Sequence, residues 1–261
     1  MDEAALLSRV PELASIMETA YWLSYRGWSE GHAGNISLRM AAGPGVIDMP
    51  ATGEPVGFSG TFKELAGCVL AVSVAGRRMR DAMRRLEGNV MLVRVLPDGS
   101  AYEPLWGAGR PTSELPAHLR IHRTLVQHHP ERRAILHTHP PCLIAITHLP
   151  PSVRKGVVEN VLFRLHPETV VFMPEGAELI PFRVPGTEEL GYATAHAFIK
   201  KRMALWEKHG VVAVAQDLPQ ALDCVEVLEK AAEIYWKAGG KPEGLKKEDV
   251  DATRARWVEK G

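Results

Sequence analysis

The segment AILHTHPP at residues 134–141 sets the first limit on how this chain can fold. Its apolar start is typical of a buried strand, and the two prolines end that strand abruptly because proline cannot donate to a neighbouring strand. Side chains two residues apart in a strand point to the same side, so His137 and His139 can present two imidazoles to one ion while Thr138 points away. The pair lies at a strand end, where a pocket is more common than in mid-sheet. A metal site fits this pattern, and so do two partly exposed histidines without a ligand.

Another histidine, His209, precedes Gly210 and a strongly apolar strand in the segment LWEKHGVVAVA. An imidazole without a polar partner is costly in such surroundings. Three imidazoles with one open coordination position are typical of catalytic zinc sites, whereas structural zinc sites are closed by four protein ligands. The order of residues along the chain leaves open whether the three rings meet.

The first half of the chain predicts an opening helix followed by short strands. Residues 3–26 carry apolar side chains at helical spacing, and Gly27 follows where a glycine commonly ends a helix. The segments GNISLRM, CVLAVSV, NVMLVRVL and AYEPLW are typical of strands, and a PDGS turn joins the last two into a hairpin.

Beyond Pro111 the pattern changes to helices and strands in turn. The predicted helices cover residues 114–129, 151–163, 188–203 and 219–237, the last opening at Asp217, and the predicted strands cover AILHTH, TVVFM and a pair within ALWEKHGVVAVA. We therefore predict a single α/β domain over residues 1–261 with a mainly antiparallel or mixed sheet. Its charged tail, from about residue 240, is predicted to form a surface helix.

The charge balance argues against partners that bind through a strong overall field. Lysine plus arginine and aspartate plus glutamate both number 31, and the isoelectric point is about 7.2. We therefore expect neither a nucleic acid nor a membrane surface as a partner, and any anionic ligand must be bound locally. A chain of 261 residues also buries an adequate core without disulfides or metal, so a metal would serve function rather than stability.

The cysteines and the N-terminus favour a cytoplasmic protein. Cys68, Cys142 and Cys224 are odd in number, far apart and each in apolar company, which favours buried thiols in a reducing compartment over disulfides. The N-terminus, MDEAALLSRVPELA, is acidic and amphipathic, unlike a signal peptide, and no window of 18 uninterrupted apolar residues occurs.

Two glycine-containing segments offer free backbone donors to an anion. GHAGNIS places Gly34 and Asn35 before a strand, and SVAGRRMRD places Ser73 and Gly76 after one, with arginines following. A phosphate is the natural ligand of such loops. An ordinary turn beside a solvated basic stretch is the more common explanation for either segment taken alone.

The segment GRPTSELPAHL places Glu114 after two hydroxyl residues, Thr112 and Ser113, of which Ser113 is the predicted cap of a helix. An acid in the first turn stabilises a helix, but a carboxylate beside hydroxyls can also move a proton at a bound substrate. Both interpretations stand from the local sequence. His118 and His122 lie one turn apart on the same helix face as Glu114, which makes a second, helix-borne metal site conceivable.

Several motifs in one order resemble the class II aldolase and adducin family: RGWSEGHAGNISLRM, GRPTSELPAHL, ILHTHP, the stretch from HPETVVFMPEG to VPGTEELG, and LWEKHG. The likeness extends from about residue 15 to about residue 240. It implies a three-layer α/β/α fold around a central, mainly antiparallel sheet, and a homotetramer with active sites between subunits. It also implies one zinc ion per subunit and the cleavage of a ketose 1-phosphate into dihydroxyacetone phosphate and an aldehyde.

The resemblance also implies roles for the residues at matching positions. The zinc ligands correspond to His137, His139 and His209. The acid–base group near the metal corresponds to Glu114, and a second carboxylate that acts late in the cycle corresponds to Glu168 in HPET. The residues that correspond to phosphate-binding positions are Gly34, Asn35, Ser73, Gly76, Thr112 and Ser113. The residue pattern alone does not select Glu168, which precedes a predicted strand.

Two positions depart from the family pattern. His32 stands where relatives usually carry a small polar residue, and Val74 stands in SVAG where the family usually has a glycine, as in TGSG or TGTG. Both belong to the predicted phosphate pocket and therefore bear on the substrate more than on the metal.

Two other functions stay open beside the aldolase. A sugar-phosphate 4-epimerase of the same superfamily uses similar zinc chemistry but rejoins the fragments, so it yields a pentulose isomer and no triose. An adducin-like assembly module keeps the fold without catalysis. The three histidines and Glu114 argue against such a module, because a scaffold has no physical need for them.

Overall fold

A nine-stranded sheet forms the centre of the computed structural model, which describes residues 1–41 and 43–257. The strands in chain order are β1 (Asn35–Arg39), β2 (Val56–Gly57), β3 (Val69–Ser73), β4 (Val90–Val95), β5 (Ala101–Trp106), β6 (Ala134–Thr138), β7 (Glu178–Ile180), β8 (Met203–Trp206) and β9 (Gly210–Ala215). Across the sheet they follow the order β2, β5, β4, β3, β1, β6, β9, β8, β7. Neighbouring strands are antiparallel except β7 and β8, which are parallel. The predicted mixed, mainly antiparallel sheet is confirmed.

Helices cover both faces of the sheet. They are α1 (Glu3–Arg9), α2 (Ala14–Tyr25), α3 (Pro44–Ile47), α4 (Met79–Ala82), α5 (Leu115–His128), α6 (Pro141–Thr147), α7 (Pro151–Gly156), α8 (Pro167–Phe172), α9 (Glu188–Ala197), α10 (Leu218–Lys237) and α11 (Lys247–Trp257). Short 3-10 turns cover Pro11–Leu13, Lys63–Leu65 and Leu162–Arg164, and a π-turn covers Val157–Val161. The long helix α10 begins at its predicted cap, because the Asp217 side chain accepts from a backbone N–H of the first turn.

Successive residues of β6 show how the layers pack. Ile135 lies in one cluster with Ile121 of α5, while Leu136 belongs to a separate cluster that includes Leu228 of α10. Both strand residues are fully buried, and burying such a side chain contributes about 2 kcal/mol. Because both faces of the sheet are covered, β6 is a continuous apolar run rather than an alternating one. The result is the α/β/α arrangement that the resemblance implies.

The opening helix is interrupted rather than continuous. α1 ends at Arg9 and a 3-10 turn begins at Pro11, whose ring and missing N–H do not fit the interior of an α-helix. The second part, α2, ends before Gly27, which has a φ of +70° as expected for a glycine that ends a helix. The prediction over residues 3–26 is therefore wrong at one internal proline and correct at the C-terminal end.

Two further segments differ from the prediction. The first four residues of TVVFM, predicted as a strand, lie in α8, where Pro167 occupies the first turn and the Thr169 hydroxyl donates to a carbonyl one turn earlier. β-Branched residues favour strands only where a partner strand is available, and the chain supplies none at this point of the described structure. The helix predicted over residues 188–203 ends at Ala197, and Met203 already begins β8.

The C-terminal tail agrees with the prediction, whereas two of the three cysteines are less buried than predicted. Helix α11 has no buried residue and is the predicted surface helix. The three cysteines are free, but only Cys224 is buried, while Cys68 and Cys142 are half-buried. No helix within residues 1–41 and 43–257 combines the length and the apolar character needed to cross a membrane.

Candidate functional site

A hydrogen bond fixes His137 at the end of β6 and selects its tautomer. The residue is 1 % exposed, and its Nδ1–H donates to the carbonyl oxygen of Val211 in β9 at 2.9 Å. The ring of Trp206 packs against the imidazole with 4.6 Å between ring centres. Nε2 is therefore the nitrogen of His137 that carries the free lone pair.

A carboxylate fixes His139 in the same way. The backbone N–H of His139 donates to the carbonyl of Trp28, and its Nδ1–H donates to Oε1 of Glu30 at 2.9 Å. Partial burial works in the opposite direction, but the hydrogen bond from His139 lowers the pKa of Glu30, so this carboxylate is ionised at neutral pH. A carboxylate that accepts from the far nitrogen of a metal-binding histidine orients the ring and makes the other nitrogen a better ligand.

His209 reaches the two rings from the turn between β8 and β9. A Cβ at Gly210 would lie 2.7 Å from the carbonyl oxygen of Thr138, so a glycine is needed for this turn to approach the end of β6. The ring centre of His209 lies 4.8 Å from that of His137 and 5.3 Å from that of His139. The antiparallel pairing of β6 with β9 therefore brings together three histidines that are distant in sequence.

The spacing of the three rings fits a metal ion. One nitrogen from each of His137, His139 and His209 lies within 4.8 Å of the others, and Nε2 of His137 is 3.3 Å from Nε2 of His139. In the tautomers set by Val211 and Glu30, both of these nitrogens present lone pairs to the same space, and a cation between them stabilises that arrangement. Bonds of about 2.0–2.1 Å in a tetrahedral zinc site place two nitrogens about 3.4 Å apart. The geometry therefore suits an ion of the size of zinc.

Burial keeps two of the rings in the form that binds a metal. It lowers the pKa of His137 to about 3 and that of His209 to about 4. At neutral pH these two imidazoles have no proton to lose before an ion binds. Nδ1 of His209 is buried without a hydrogen-bond partner in the described structure, an arrangement that is costly unless a ligand of the ring compensates for it.

Glu114 adds a carboxylate to the cluster from the start of α5. The residue is 5 % exposed, and its two oxygens lie 3.7 Å from Nε2 of His137 and 3.9 Å from Nε2 of His209. Nδ2 of Asn35 donates to Oε2 of the carboxylate at 2.9 Å. The carboxylate therefore faces the same space as the histidines, where it can exchange a proton with a bound substrate.

The cap of α5 differs from the predicted one. The helix begins at Leu115 with Glu114 in the cap position, and Ser113 is exposed. The Thr112 hydroxyl accepts from the backbone N–H of Glu114 at 3.3 Å, so Thr112 rather than Ser113 holds this turn. The prediction of Ser113 as the cap is wrong because the helix starts one residue later.

A cavity of about 180 Å³ adjoins the cluster. Besides the three histidines and Glu114, residues of three loops line it: His32, Gly34, Asn35, Ser73, Val74, Gly76, Arg77, Thr112 and Ser113. The structure thus brings all predicted phosphate-binding residues, and both departures from the family pattern, to the predicted metal ligands. Gly34 has a φ of +78°, and a Cβ there would lie 3.1 Å from the carbonyl oxygen of His137, so glycine lets this loop lie against β6.

Two of the predicted residues have other partners. The Ser73 hydroxyl accepts from the backbone N–H of Ile36 at 2.6 Å and donates to the carbonyl of the same residue at 2.9 Å, which ties β3 to β1. Glu168 lies in the first turn of α8, is 58 % exposed and accepts from Nδ1 of His166 at 2.7 Å. That hydrogen bond lowers the pKa of Glu168. Glu168 does not line the cavity of its own chain.

The sequence analysis missed one contributor to the site and noted another only as one of several arginines that follow Gly76. Glu30 orients His139 although the two residues are 109 positions apart, and nothing in the local sequence marks it. Arg77 lines the cavity, and its position directly after Gly76 in SVAGRR was an available signal.

The helix-borne metal site considered around His118 and His122 does not form. Both rings are fully buried, and both are hydrogen bonded to the hydroxyl of Ser37 in β1. Neither ring lines the cavity. Their shared helix face meets the Ser37 hydroxyl of β1 rather than an ion.

Comparison with known proteins agrees with this geometry. A family model described as the class II aldolase and adducin N-terminal domain matches residues 14–236. A rhamnulose-1-phosphate aldolase of Bacteroides thetaiotaomicron is 36 % identical over 92 % of this chain and 91 % of its own length, and one of Listeria welshimeri is 33 % identical over 92 % and 88 %. A solved sugar-phosphate aldolase from Thermotoga maritima has 36 % identity and a TM-score of 0.79, covering 89 % of this chain and 97 % of that one.

Proposed function

The chain belongs to the class II aldolase and adducin family, and from this premise we propose that it is an aldolase that cleaves L-rhamnulose 1-phosphate to dihydroxyacetone phosphate and L-lactaldehyde with zinc. The observation that carries the proposal is that three histidines and a buried carboxylate meet at one cavity. The sugar is the one named for the two relatives. The proposal includes a cytoplasmic location, which the free cysteines support.

The proposed zinc ion, one in each subunit, would be held by His137, His139 and His209. Three neutral nitrogens leave the ion its full charge and at least one open position. When bound, the ion supplies a Lewis acid that stabilises the negative charge developing on the carbonyl oxygen of the substrate. The protein holds the three rings for this task through the hydrogen bonds to Val211 and Glu30.

Glu114 is proposed as the group that moves the proton. Cleavage breaks the bond between the third and fourth carbons of the ketose. The hydroxyl on the fourth carbon loses its proton as that carbon becomes the aldehyde, and the electron pair left on the third carbon must receive a proton. The Glu114 carboxylate is buried at the cavity and can carry that proton. Because Asn35 donates to Oε2, Oε1 is the oxygen left to approach the carbon.

Arg77 is proposed as a binding residue for the phosphate. Among the described residues that line the cavity, it carries the one permanent positive charge, and no ion pair of Arg77 is found in residues 1–41 and 43–257. Backbone donors around Gly34 and Gly76 can hold the phosphate oxygens, but they leave its charge unbalanced.

Arg77→Gln is expected to raise KM for the phosphorylated substrate about tenfold, equivalent to about 1.4 kcal/mol, and to leave kcat within about twofold. The phosphate is held equally in the ground state and in the transition state, so losing its partner weakens binding rather than turnover. Steady-state kinetics measure both constants. Arg80→Gln is the matched control, because Arg80 is exposed in the same segment and does not line the cavity. Equal KM values for the two variants would remove Arg77 from the phosphate site.

In the proposed homotetramer, Glu168 of one subunit can act at the active site of a neighbouring subunit. Since this carboxylate does not line the cavity of its own chain, a role in turnover requires delivery from a neighbouring subunit. A symmetric oligomer with sites between subunits allows this.

Glu114→Gln and Glu168→Gln are each expected to be nearly inactive alone, and refolding them together is expected to restore about a quarter of the wild-type activity. In a random mixture, about one site in four combines an intact Glu114 with an intact Glu168 of the neighbour. Activity after mixing is the measurement. The double variant mixed with Glu114→Gln is the control and stays inactive. No recovery in the first mixture excludes action of Glu168 across subunits.

The epimerase and the assembly module remain the alternative functions, and the products separate all three. A 4-epimerase converts a pentulose phosphate to its isomer without releasing a triose. An assembly module neither binds a metal tightly nor converts a sugar phosphate. The converging nitrogens of His137 and His139 argue against the module, because a scaffold gains nothing from two facing lone pairs.

The deciding experiment is a coupled assay for dihydroxyacetone phosphate released from L-rhamnulose 1-phosphate. Triose release that stops after chelation and returns with zinc is the expected result. If rhamnulose, fuculose and ribulose phosphates all fail to release a triose, the proposed aldolase is wrong. A pentulose isomer formed in the same incubations would then establish the epimerase.

A further inference from the structure

A buried chain of hydrogen bonds runs from Glu114 into the layer between β1 and α5. Nδ2 of Asn35 donates to Oε2 of Glu114 at 2.9 Å, and Oδ1 of the same amide bonds to Nε2 of His118. Nδ1 of His118 lies 2.6 Å from the hydroxyl oxygen of Ser37, which lies 2.8 Å from Nε2 of His122. All five side chains are buried. The proposed mechanism uses the first two and has no role for the other three.

The direction of every bond in this chain follows from its two ends. Nδ2 of Asn35 donates to the carboxylate of Glu114, and the amide oxygen at the other side of the same group can only accept. His118 therefore carries its proton on Nε2. Its Nδ1 then accepts from the Ser37 hydroxyl, whose oxygen in turn accepts from Nε2–H of His122.

The environment of His122, at the far end of the hydrogen-bond chain, agrees with this assignment. Nδ1 of His122 is buried without a partner in the described structure, as expected if that nitrogen is the bare one of a neutral ring. Burial lowers the pKa of His118 to about 4 and places that of His122 well below its usual value, so both imidazoles are neutral at neutral pH. The reverse direction would bury an unpaired N–H at His122 and turn the amide oxygen of Asn35 toward the carboxylate.

We propose that Ser37, His118 and His122 are positioning residues of the aldolase, which hold the Asn35 amide in one orientation and through it the carboxylate of Glu114. This inference rests on the proposed function. An asparagine amide is nearly symmetric in shape, so it is the hydrogen bonds that decide which end faces Glu114. When His118 donates to the oxygen, the NH₂ group must face the carboxylate.

The influence of each link falls with its distance from Glu114. His118 contacts Asn35 directly, and its loss lets the amide turn and leaves a buried group unpaired. Ser37 acts by holding the tautomer of His118, and His122 acts by orienting the hydroxyl of Ser37. In a low-dielectric interior such aligned bonds strengthen one another.

The first test compares kcat of zinc-loaded variants. His118→Leu, which removes the donor, is expected to lower kcat about 30-fold, whereas His118→Gln, whose amide can donate in place of Nε2, stays within about threefold of wild type. Ser37→Ala is expected to lower kcat about fivefold and His122→Phe about twofold. His129→Leu is the matched control, since His129 ends the same helix and bonds to the carbonyl of Ile199 outside the cavity.

The pattern across variants separates positioning from simple loss of stability. Kinetics are measured at matched zinc content and far below the unfolding temperature of each variant. A merely structural role predicts equal losses for His118→Gln and His118→Leu, and that result overturns the proposal. If His118→Leu does not fold, Ser37→Ala still decides, because an unchanged kcat in that variant also overturns it.

The second test reads the tautomers without any turnover. Nitrogen-15 NMR of the zinc-loaded protein is expected to show His118 and His122 neutral, each with its proton on Nε2, and the signals are assigned by their loss in His118→Gln and His122→Phe. A proton on Nδ1 of either ring overturns the proposed direction of the chain. If the wild-type protein releases no triose while both tautomers are as expected, it is the proposed function that fails and not the hydrogen-bond chain.

Discussion

Glu114→Gln is expected to lower kcat about 1000-fold while the protein keeps its metal. Glutamine has nearly the same shape and can still accept from Asn35 through its oxygen, but it cannot take or return a proton. Positioned acid–base groups contribute about 100-fold to 10,000-fold to turnover, and the buried site of Glu114 favours the upper half of that range. His137, His139 and His209 are untouched, so metal content is expected to be unchanged.

Steady-state kinetics and elemental analysis of the same sample test this expectation. Glu103→Gln is the matched control, because Glu103 is a half-buried carboxylate that pairs with Arg94 on β4, outside the cavity. The control is expected to keep its turnover. A kcat for Glu114→Gln within about tenfold of wild type would remove Glu114 from the proton transfer, whereas a loss of zinc would show that the carboxylate also holds the metal.

The parts of the site that could be predicted depend on geometry that is local along the chain. Alternation in a strand places His137 and His139 on one side, and this needs no knowledge of the fold. The approach of His209 depends instead on the pairing of β6 with β9, in which Thr138 lies opposite Val211. That pairing is a property of the sheet, so the residue pattern suggested His209 as a third ligand but could not show that the three rings meet.

The same rule of alternation shows where sequence reasoning stops. Asn35 and Ser37 are two apart in β1 and therefore share a face, while Ile36 between them belongs to the core on the other side. The sequence cannot say which helix covers that face. It places His118 one helical turn from His122, which suggested a metal site, but the hydroxyl that both rings bind lies 81 positions away from His118. The sequence therefore placed the two histidines correctly on one helix face but could not identify Ser37 as their partner.

Segments whose conformation is decided by their surroundings were predicted least well. TVVFM is rich in β-formers but has no described strand beside it, so it joins α8. Because this segment was predicted as a strand, Glu168 was not recognised as part of a helix. It lies in the first turn of α8, exposed to solvent, and accepts a hydrogen bond from His166. Its predicted role depends on a second subunit, which no pattern within one chain can supply.

His209→Ala is expected to weaken zinc binding at least about 100-fold and to remove turnover at limiting zinc. A structural zinc site is worth about 10–16 kcal/mol over four ligands, so one ligand contributes about 3 kcal/mol. His209 is the best of the three histidines to replace, because its ring is half-buried in a turn. His137 is fully buried against Trp206, so its replacement would also leave a cavity in the core.

Zinc affinity by competition with a coloured chelator, and urea unfolding, measure the two effects separately. The free energy of unfolding of the metal-free variant is expected to lie within about 1 kcal/mol of the metal-free wild type, because the core is built without the ion. His128→Ala is the matched control, since His128 is exposed at the end of α5 and outside the cluster. Zinc affinity that survives His209→Ala at the wild-type level would mean that the ion is held elsewhere. The converging nitrogens of His137 and His139 would then need another explanation.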